Sequence, residues 1–460
     1  MSLAPGLASS WKLLSDTEWE FILRPEAKFS DGQPVTPEDV AFSLTRSAHI
    51  PNSPLGYAPF TRDIDRVEIT GSHGLRIITK QPSPILPANM ASIAIVAKHA
   101  VEGKSSGDFN TGVVATGSGP YRLVSFTQND QVVLERVPDF WGQKPEWDRV
   151  TMRFIANEGA RSAALLSGDV DLIDAPSRND LPRLQKDSRF RVESTAGNRS
   201  ILLLPSFLTE GQALRQATDN DGKPLSKNPL LDARVRLALS IAINREALTG
   251  RVLEGTAKAS GQFMWPDAYS YTPDIGVPPF DPSRAKALLA QAGYANGFRL
   301  VLSAYADRPD FNVVSQAVAQ MWTRIGVRTT VDAVPASVYL SRGAQHEYLM
   351  PFFSWGIGTG EASYVLTNLF NTMDRISGRG PANWGAYSNA ALDQLIEQAM
   401  STMDDGAREK MLVRAQKVVS EDIAAIPLYQ LVNFWASRRD IIYDARRDQR
   451  TVATSARAVH

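Results

Sequence analysis

Strand-like and helix-like hydrophobic patterns alternate along most of this chain, and that order limits the folds it can adopt. Val150 to Ile155 is predicted to be a strand, Gly159 to Ser167 a short helix closed by Gly168, and Val170 to Ile173 a second strand. Strands and helices in this order favour an α/β lobe. At 460 residues the chain has room for about three domains of ordinary size, or for two large lobes.

A similar pattern returns in the second half of the chain. After the turn signal Asn296-Gly297, the sequence predicts a strand at residues 298–303, a helix near 313–325 and a strand at 327–334. A helix is also predicted from Asp232 to Asn244 because Asp232 can cap its first turn.

The first part of the chain has a different character. Residues 19–23 alternate apolar and polar side chains, as in a half-buried strand. Thr36 and Pro37 suit the cap and first position of a helix, and residues 67–79 resemble a hairpin. These elements together predict an α+β unit.

Composition excludes several classes of protein. The chain carries 49 basic and 49 acidic residues, and this balance argues against binding nucleic acid or membrane through bulk charge. It has no cysteine, which removes disulfides, thiol nucleophiles and cysteine-based metal sites. No stretch approaches the roughly 18 apolar residues of a membrane span, and residues 1–6 show no export signal.

Residues that could support catalysis are scattered. The five histidines form no HExxH motif or other helical ligand pair. Gly103 to Gly107 matches the G-x-S-x-G pattern of hydrolase nucleophiles, but a short helix is predicted before it where that motif needs a strand. The residues therefore favour binding over catalysis and predict no cofactor and no metal.

A glycine-rich segment follows a short apolar strand in the second half of the chain. The strand, Phe352 to Trp355, runs into Gly356 to Gly360, where every second residue is glycine. Such a segment lets a backbone approach a ligand closely, or presents amides to an anion. Its spacing fits neither a dinucleotide fingerprint nor a P-loop. The residues alone leave a ligand loop and a structural turn equally open.

A series of short sequence blocks runs through nearly the whole chain in a fixed order. The blocks include Trp19-Glu20-Phe21-x-Leu23-Arg24, Phe29-Ser30-Asp31-Gly32-x-Pro34-Val35-Thr36, Gly117-Ser118-Gly119-Pro120-Tyr121, Asp139-Phe140-Trp141-Gly142, Ser167-Gly168-Asp169-Val170-Asp171, Asp232-x-Arg234-Val235-Arg236, Tyr387-Ser388-Asn389 and Ile426-Pro427-Leu428-Tyr429. Together they resemble the signature of family 5 extracytoplasmic solute-binding proteins, the dipeptide, oligopeptide and nickel receptors of ABC importers.

The resemblance implies a type II periplasmic-binding-protein fold, with two lobes joined by a hinge and a third, extra domain. Residues 1–115 would form the extra α+β domain, 116–219 together with 434–460 lobe one, and 220–433 lobe two. Family members carry a further N-terminal stretch that supplies the first strands of lobe one. We therefore expect an unfilled position in the sheet of lobe one.

The resemblance also suggests ligand-binding residues. Arg308 lies in a segment similar to the Arg-Pro-Tyr-Asn segment of dipeptide receptors, whose arginine binds the ligand carboxylate, and a guanidinium suits that task. The residues expected to contact ligand are Trp355, Gly356, Ile357, Gly358, Arg308, Asn383 and Tyr387.

This chain departs from peptide-binding relatives at two positions. Gly358 stands where they have an aspartate that pairs with the peptide ammonium, and Phe352 stands where some have an arginine. A buried ammonium without a counter-charge costs several kcal/mol, so Glu361 is considered as a replacement from a shifted loop. We expect a cleft that keeps an anion partner and lacks the usual ammonium partner.

The first hypothesis is a periplasmic receptor that captures a peptide or other small polar solute by hinge closure. Its expected partners are the solute and an ABC permease; we expect a monomer that binds no nucleic acid and does not insert into the membrane. Three alternatives stay open: a nickel or metallophore receptor of the same family, a two-lobed hydrolase, and an interaction module without a ligand.

Overall fold

A four-stranded antiparallel sheet with short helices forms the first part of the chain. The computed structural model describes residues 3–48, 50 and 57–459. The elements of the first part are, in chain order, β1 (Ala8–Ser15), β2 (Glu18–Leu23), α1 (Pro37–Ala48), α2 (Ala58–Thr61), β3 (Ile64–Ile69), β4 (Gly74–Thr79), α3 (Leu86–Met90), α4 (Lys98–Val101) and α5 (Ser106–Asn110). The strands lie in the order β1, β2, β4, β3. The predicted hairpin is the pair β3–β4.

The start of α1 follows from its sequence. The Thr36 backbone N–H donates to the Asp39 carboxylate over 2.9 Å, and the Asp39 N–H donates back to the Thr36 hydroxyl over 3.3 Å. This reciprocal cap satisfies N–H groups that a helix start leaves unpaired. Val40 and Leu44 then pack on the sheet, within a core that contains Phe21 of β2.

The next part of the chain contains a second antiparallel sheet. Its elements are β5 (Tyr121–Thr127), β6 (Gln131–Arg136), β7 (Arg149–Arg153), α6 (Glu158–Ser167), β8 (Leu172–Asp174), α7 (Leu181–Lys186) and β9 (Phe190–Leu203). Helix α6 ends where Gly168 takes a positive φ of 84°, as expected for a helix C-terminus. The predicted order of strand, helix and strand is confirmed, but β7 pairs with β6 while β8 lies in a different sheet.

The remainder of the chain is built from strands and longer helices. Its elements are β10 (Ala217–Thr218), α8 (Ala233–Ile241), α9 (Arg245–Ala247), β11 (Ala257–Ala259), α10 (Pro282–Gln291), β12 (Phe298–Tyr305), α11 (Pro309–Arg324), β13 (Val327–Val334), α12 (Ala336–Ala344), β14 (Phe352–Gly356), α13 (Ala362–Val365), α14 (Ala390–Ser401), α15 (Asp405–Glu421), β15 (Ile426–Arg438), β16 (Ile441–Tyr443) and β17 (Ala456–Ala458).

The strand, helix and strand predicted after Gly297 are present as β12, α11 and β13, and the structure adds that β12 and β13 pair in parallel, with α11 as the crossover helix. A Cβ added to Gly297, which precedes β12, would lie 1.9 Å from the Gly326 carbonyl oxygen, and Gly297 has a φ of 72°. Only glycine fits there. The helix that starts after Asp232 ends at Ile241 and not at Asn244 as predicted, because the Asn244 side chain caps α9 by accepting from the Ala247 N–H over 2.8 Å.

Two long strands, β9 and β15, cross from one part of the molecule to the other. They pair antiparallel from Phe190↔Arg438 at one end to Leu203↔Ile426 at the other. Strand β8 pairs with the carboxyl half of β15, whereas β14 pairs with the carboxyl half of β9 and β11 with the amino half of β15. This sheet continues across two packed units, and we expect the hinge to lie along it.

The division into three domains remains a prediction. Strand β10 pairs with β12, so Ala217 and Thr218 lie with the second lobe, although the division assigns them to the first. None of the helices in the described ranges is both long enough and apolar enough to span a bilayer.

Candidate functional site

The glycine-rich segment starts at the edge of the crossing sheet. Strand β14 pairs with β9 so that Trp355 lies opposite Ser200 and Gly356 opposite Arg199. The backbone continues beyond the strand, because the Ile357 N–H donates to the Asn198 carbonyl over 2.9 Å. Trp355 therefore stands at the end of a strand beside the glycines, as the sequence predicts.

Side chains at this edge project from two faces of the sheet. Neighbouring residues of a strand point to opposite faces, and directly paired residues share a face. Arg199 and Ser354 therefore lie on one face and Trp355 on the other. The site therefore has two faces, one with Arg199 and Ser354 and the other with Trp355, and Gly356 lies where they meet.

Arg199 occupies the first face and was not foreseen from the sequence. Its Nη1 donates to the Ser354 hydroxyl over 3.1 Å, and its Nε donates to the Gln449 side-chain oxygen over 3.2 Å. A Cβ added to Gly356 would lie 3.1 Å from Arg199 Nη2. The guanidinium thus rests against the start of the glycine segment, where a larger residue would press on it.

The electrostatic surroundings of Arg199 are unfavourable to its charge. Burial lowers the pKa of the Arg199 guanidinium; Tyr305 opposes this shift, and the positive charge of Arg308 adds to it. Within the described part of the chain, no carboxylate forms an ion pair with Arg199.

Arg308 lies next to this group at the start of α11. Its guanidinium pairs with Asp310 over 3.1 Å and covers the ring of Phe311 at 4.8 Å from the centroid. Burial, the largest single effect, lowers the pKa of Arg308, but the hydrogen bonds to Asp310 and the charges of Asp310, Tyr305 and Tyr429 together outweigh it, so the pKa is raised. Arg308 therefore already has a counter-charge, whereas Arg199 has none.

Two tyrosines complete the first face. Burial raises the pKa of Tyr305, while Arg308, Ser354 and Arg199 act in the opposite direction. Tyr429, which is fully buried, has a hydroxyl without a hydrogen-bond partner. Burial raises its pKa too, with Asp310 as the next contribution. Buried polar groups are normally paired, so an orphan hydroxyl beside charged side chains marks a candidate ligand-contacting group.

The second face carries an aromatic row that reaches the first domain. The Trp355 ring lies 5.9 Å from Phe353 and 5.6 Å from Tyr364, measured between centroids. Tyr364 stacks in turn on Phe60 of the first domain, with centroids 6.0 Å apart. The Trp355 Nε1 is buried and makes no hydrogen bond. Trp355 is therefore beside the place where the first domain meets the second lobe.

Gly358, which the family resemblance places where peptide-binding relatives have an aspartate, borders open space. A Cβ added there would have no neighbour within 4 Å, and its φ is outside the left-handed region. The missing carboxylate thus leaves room that the fold does not fill.

Glu361 does not supply the missing charge, contrary to the suggestion made from the sequence. Its carboxylate accepts from Arg408, with a distance of 2.9 Å to Nη1 and a second contact to Nη2, and both side chains are almost wholly buried. A carboxylate committed to a buried ion pair is not free to bind an ammonium.

Asn383 and Tyr387, the other two candidates, are also committed elsewhere. The Asn383 amide donates to the carbonyls of Asn371 and Tyr387 over 3.0 and 2.7 Å. The Tyr387 hydroxyl donates to Asp422 over 2.5 Å, and both candidates are buried within the second lobe. Because their polar groups are used inside the lobe, we omit them from the proposed site.

Signals for other chemistry find no support in the described residues. Ser105 of the G-x-S-x-G match caps α5 through Asp108 and follows no strand. The described ranges contain no cluster of three or more acidic or histidine side chains placed to hold a metal ion. Four cavities lie in or beside the first domain, near residues 140–146 and beside α15, and none of these four is lined by the Trp355–Gly360 segment.

Comparison with known proteins points to one group. A sequence model described as bacterial extracellular solute-binding proteins, family 5 Middle, matches residues 2–375. The chain is 26% identical over 431 residues to the probable D,D-dipeptide-binding periplasmic protein DdpA of Escherichia coli (strain K12), covering 92% of this chain and 78% of that protein. It is 27% identical over 432 residues to the glutathione-binding protein GsiB of Pectobacterium atrosepticum, covering 92% and 79%.

Solved structures show the same architecture. A putative peptide-binding protein, AppA from Clostridium difficile, superimposes with a TM-score of 0.85 at 19% identity, covering 100% of this chain and 92% of that chain. At this level of identity the likeness concerns the fold, and it confirms the two-lobed α/β architecture expected from the sequence.

Proposed function

Because the chain belongs to the bacterial extracellular solute-binding proteins of family 5, we propose that it is the solute receptor of an ABC importer. In this proposal it captures a peptide or peptide-like solute in the periplasm and presents it to a membrane permease. Relatives named for binding D,D-dipeptides and glutathione support a peptide-like solute. Recognition, and not bond cleavage, is the outcome.

The observation that carries this proposal is the position of the candidate residues at the crossing strands. Arg199 and Gly356 lie opposite each other on β9 and β14, and the neighbouring Tyr364 stacks on Phe60 of the first domain. A solute held at this point would contact elements on both sides of the crossing. Such a solute stabilises the closed arrangement by its differential affinity for it.

Two of the ligand contacts predicted from the sequence are kept in this proposal. Arg308 is proposed to help bind an anionic group, and the segment Trp355 to Gly358 is proposed to supply an aromatic surface and backbone groups. Gly358 is proposed to mark the place where a peptide ammonium would lack its usual partner.

A thermal-shift screen tests the function. Peptides, N-acylated peptides, amino-acid conjugates, sugars and metal chelates are added singly to the purified protein, because a solute that binds only the folded state raises the melting temperature. We expect peptide-like solutes to raise it, and Arg308→Ala to weaken their binding at least tenfold while preserving the fold. A response to metal chelates alone would favour a metallophore receptor, and turnover of ester or peptide substrates would favour an enzyme.

A further inference from the structure

The main charges that act on the phenols of Tyr305 and Tyr429 are more positive than negative. They are the guanidiniums of Arg178, Arg199 and Arg308 and the carboxylate of Asp310. Asp310 is already paired with Arg308 over 3.1 Å. Arg199 is therefore left without an anionic partner in the described residues.

Hydrogen bonds hold the Arg199 guanidinium in place, but they do not use all of its N–H groups. Ser354 and Gln449 accept from Nη1 and Nε at 3.1 and 3.2 Å, while Nη2, which lies beside Gly356, has no hydrogen-bond acceptor among the described residues. Neutral oxygens orient the group without cancelling its charge. A guanidinium fixed in this way is prepared to donate to an incoming oxyanion.

A second, independent group points to the same place. Tyr429 is fully buried, and its hydroxyl has no partner in the structure. Its strand neighbour across the sheet is Ile201, which lies on the same face as Arg199. An unpaired hydroxyl on the face that carries an unpaired guanidinium is expected where a ligand supplies the missing acceptor.

The positions expected to pair with the ammonium group of a peptide offer no free carboxylate. Gly358 has no carboxylate to offer, and Glu361 is paired with Arg408. Neither of the two positions considered for an ammonium partner therefore offers a free carboxylate.

We propose that Arg199 is the main anion-recognition residue of the cleft, and that the solute class is a peptide-like molecule with a free carboxylate and no required ammonium group. This inference rests on the proposed receptor function and specifies its solute. Arg308 would assist, but its charge is shared with Asp310.

Dialanine and two of its derivatives test separately how the carboxylate and the ammonium group of a solute contribute to binding. Dialanine carries both charges, N-acetyl-dialanine carries only the carboxylate, and dialanine amide carries only the ammonium. Isothermal titration calorimetry measures the dissociation constant of each for the wild type. We expect N-acetyl-dialanine to bind at least as tightly as dialanine, and dialanine amide to bind at least tenfold more weakly.

Variants of Arg199 identify the residue responsible. Arg199→Gln should weaken N-acetyl-dialanine by about ten- to a hundredfold, the range expected for losing a charged hydrogen bond. Arg199→Lys should recover part of that loss, and the melting temperature of each variant reports whether it folds. Arg66→Gln is the matched control, since Arg66 is an exposed arginine of the first domain paired with Asp65 and Glu68.

Two results would overturn the assignment. One is an equal dissociation constant of N-acetyl-dialanine for folded Arg199→Gln and for the wild type. The other is tighter binding of dialanine amide than of N-acetyl-dialanine by the wild type. Either result would leave the receptor function intact, because that function is tested separately by the broader screen of solutes and by the assays for turnover.

Discussion

Phe60 of the first domain stacks on Tyr364 of the second lobe, with ring centroids 6.0 Å apart and ring planes 6° from parallel. Nearby, the Arg62 guanidinium donates to the Gly378 carbonyl over 2.8 Å. These contacts join elements far apart in sequence across the boundary beside Trp355. They would separate if the first domain and the second lobe moved apart.

The first prediction concerns this stacked pair. Phe60→Ala and Tyr364→Ala should each weaken solute binding because each removes a contact between the two units that the solute is proposed to hold together. A double-mutant cycle should give a coupling energy of about 0.5–1.5 kcal/mol, as for other aromatic pairs. The dissociation constant of N-acetyl-dialanine measures it. Phe140→Ala is the control, since that ring packs beside Trp141; additive effects of the two cleft mutations would refute the coupling.

The second prediction is a change of specificity at Gly358. Open space and an ordinary φ at this residue allow a side chain, so Gly358→Asp should fold normally and restore the carboxylate of peptide-binding relatives. Binding of dialanine should then improve relative to N-acetyl-dialanine, by tenfold or more. Gly276→Asp adds the same charge at another open glycine and should leave the ratio unchanged. An unchanged ratio in Gly358→Asp would place Gly358 away from the solute.

The third prediction separates stability from binding at Glu361. Glu361→Gln leaves the Arg408 charge buried without a counter-ion, and breaking a buried pair costs about 3–5 kcal/mol. Urea unfolding should show that loss, with unchanged affinity for dialanine and N-acetyl-dialanine. Glu397→Gln removes an exposed partner of Arg379 and should cost less than about 1 kcal/mol. A selective loss of dialanine binding in Glu361→Gln would return Glu361 to the site.

The fourth prediction concerns acid pH and the loop that carries Gly378. The Asp374 carboxylate accepts from the Ser377 hydroxyl over 2.7 Å and from the Ile376 N–H over 2.9 Å. These bonds, that from the Ser377 hydroxyl above all, lower the pKa of Asp374 to about 2. A carboxyl whose pKa is lower in the folded state than in the unfolded state stabilises the fold at pH values above its unfolded-state pKa. That stabilisation is lost as the pH falls towards the folded-state pKa.

Wild type should therefore exceed Asp374→Asn in free energy of unfolding above about pH 4, the range of an unperturbed aspartate. The difference should shrink as the pH falls from 4 towards 2, as measured by urea unfolding at several pH values. A difference that stays constant over that range would show that ionisation of Asp374 does not stabilise the loop.

Local sequence signals predict most individual elements but not the crossing sheet. The caps of α1 and α6 involve residues a few positions apart, so Thr36 and Gly168 are visible as signals in the sequence. Strand β9 runs from Phe190 to Leu203, and it is held by pairing with β15, which begins at Ile426. Because β9 and β15 are far apart in the chain, no local sequence pattern predicts that they pair.

The environment of Arg199 was hidden for the same reason. Its hydrogen-bond partners Ser354 and Gln449 are 155 and 250 residues away along the chain. The local sequence shows only an arginine two residues before the apolar run 201–204. The family resemblance pointed to the segment around Trp355, but the burial of Asn383 and Tyr387 depends on tertiary packing.

A distance measured between the first domain and the loop that it meets is the most direct test of whether the cleft closes on an anionic solute. The chain has no cysteine, so Asp65→Cys and Ile376→Cys allow spin labels to be placed at two exposed positions, one on the first domain and one on the loop it meets. Double electron–electron resonance then gives the distance distribution with and without N-acetyl-dialanine. We predict that the solute shifts the distribution to shorter distances, and that this shift is lost when Arg199→Gln is added. An unchanged distribution at a solute concentration shown by calorimetry to saturate the protein would contradict the account.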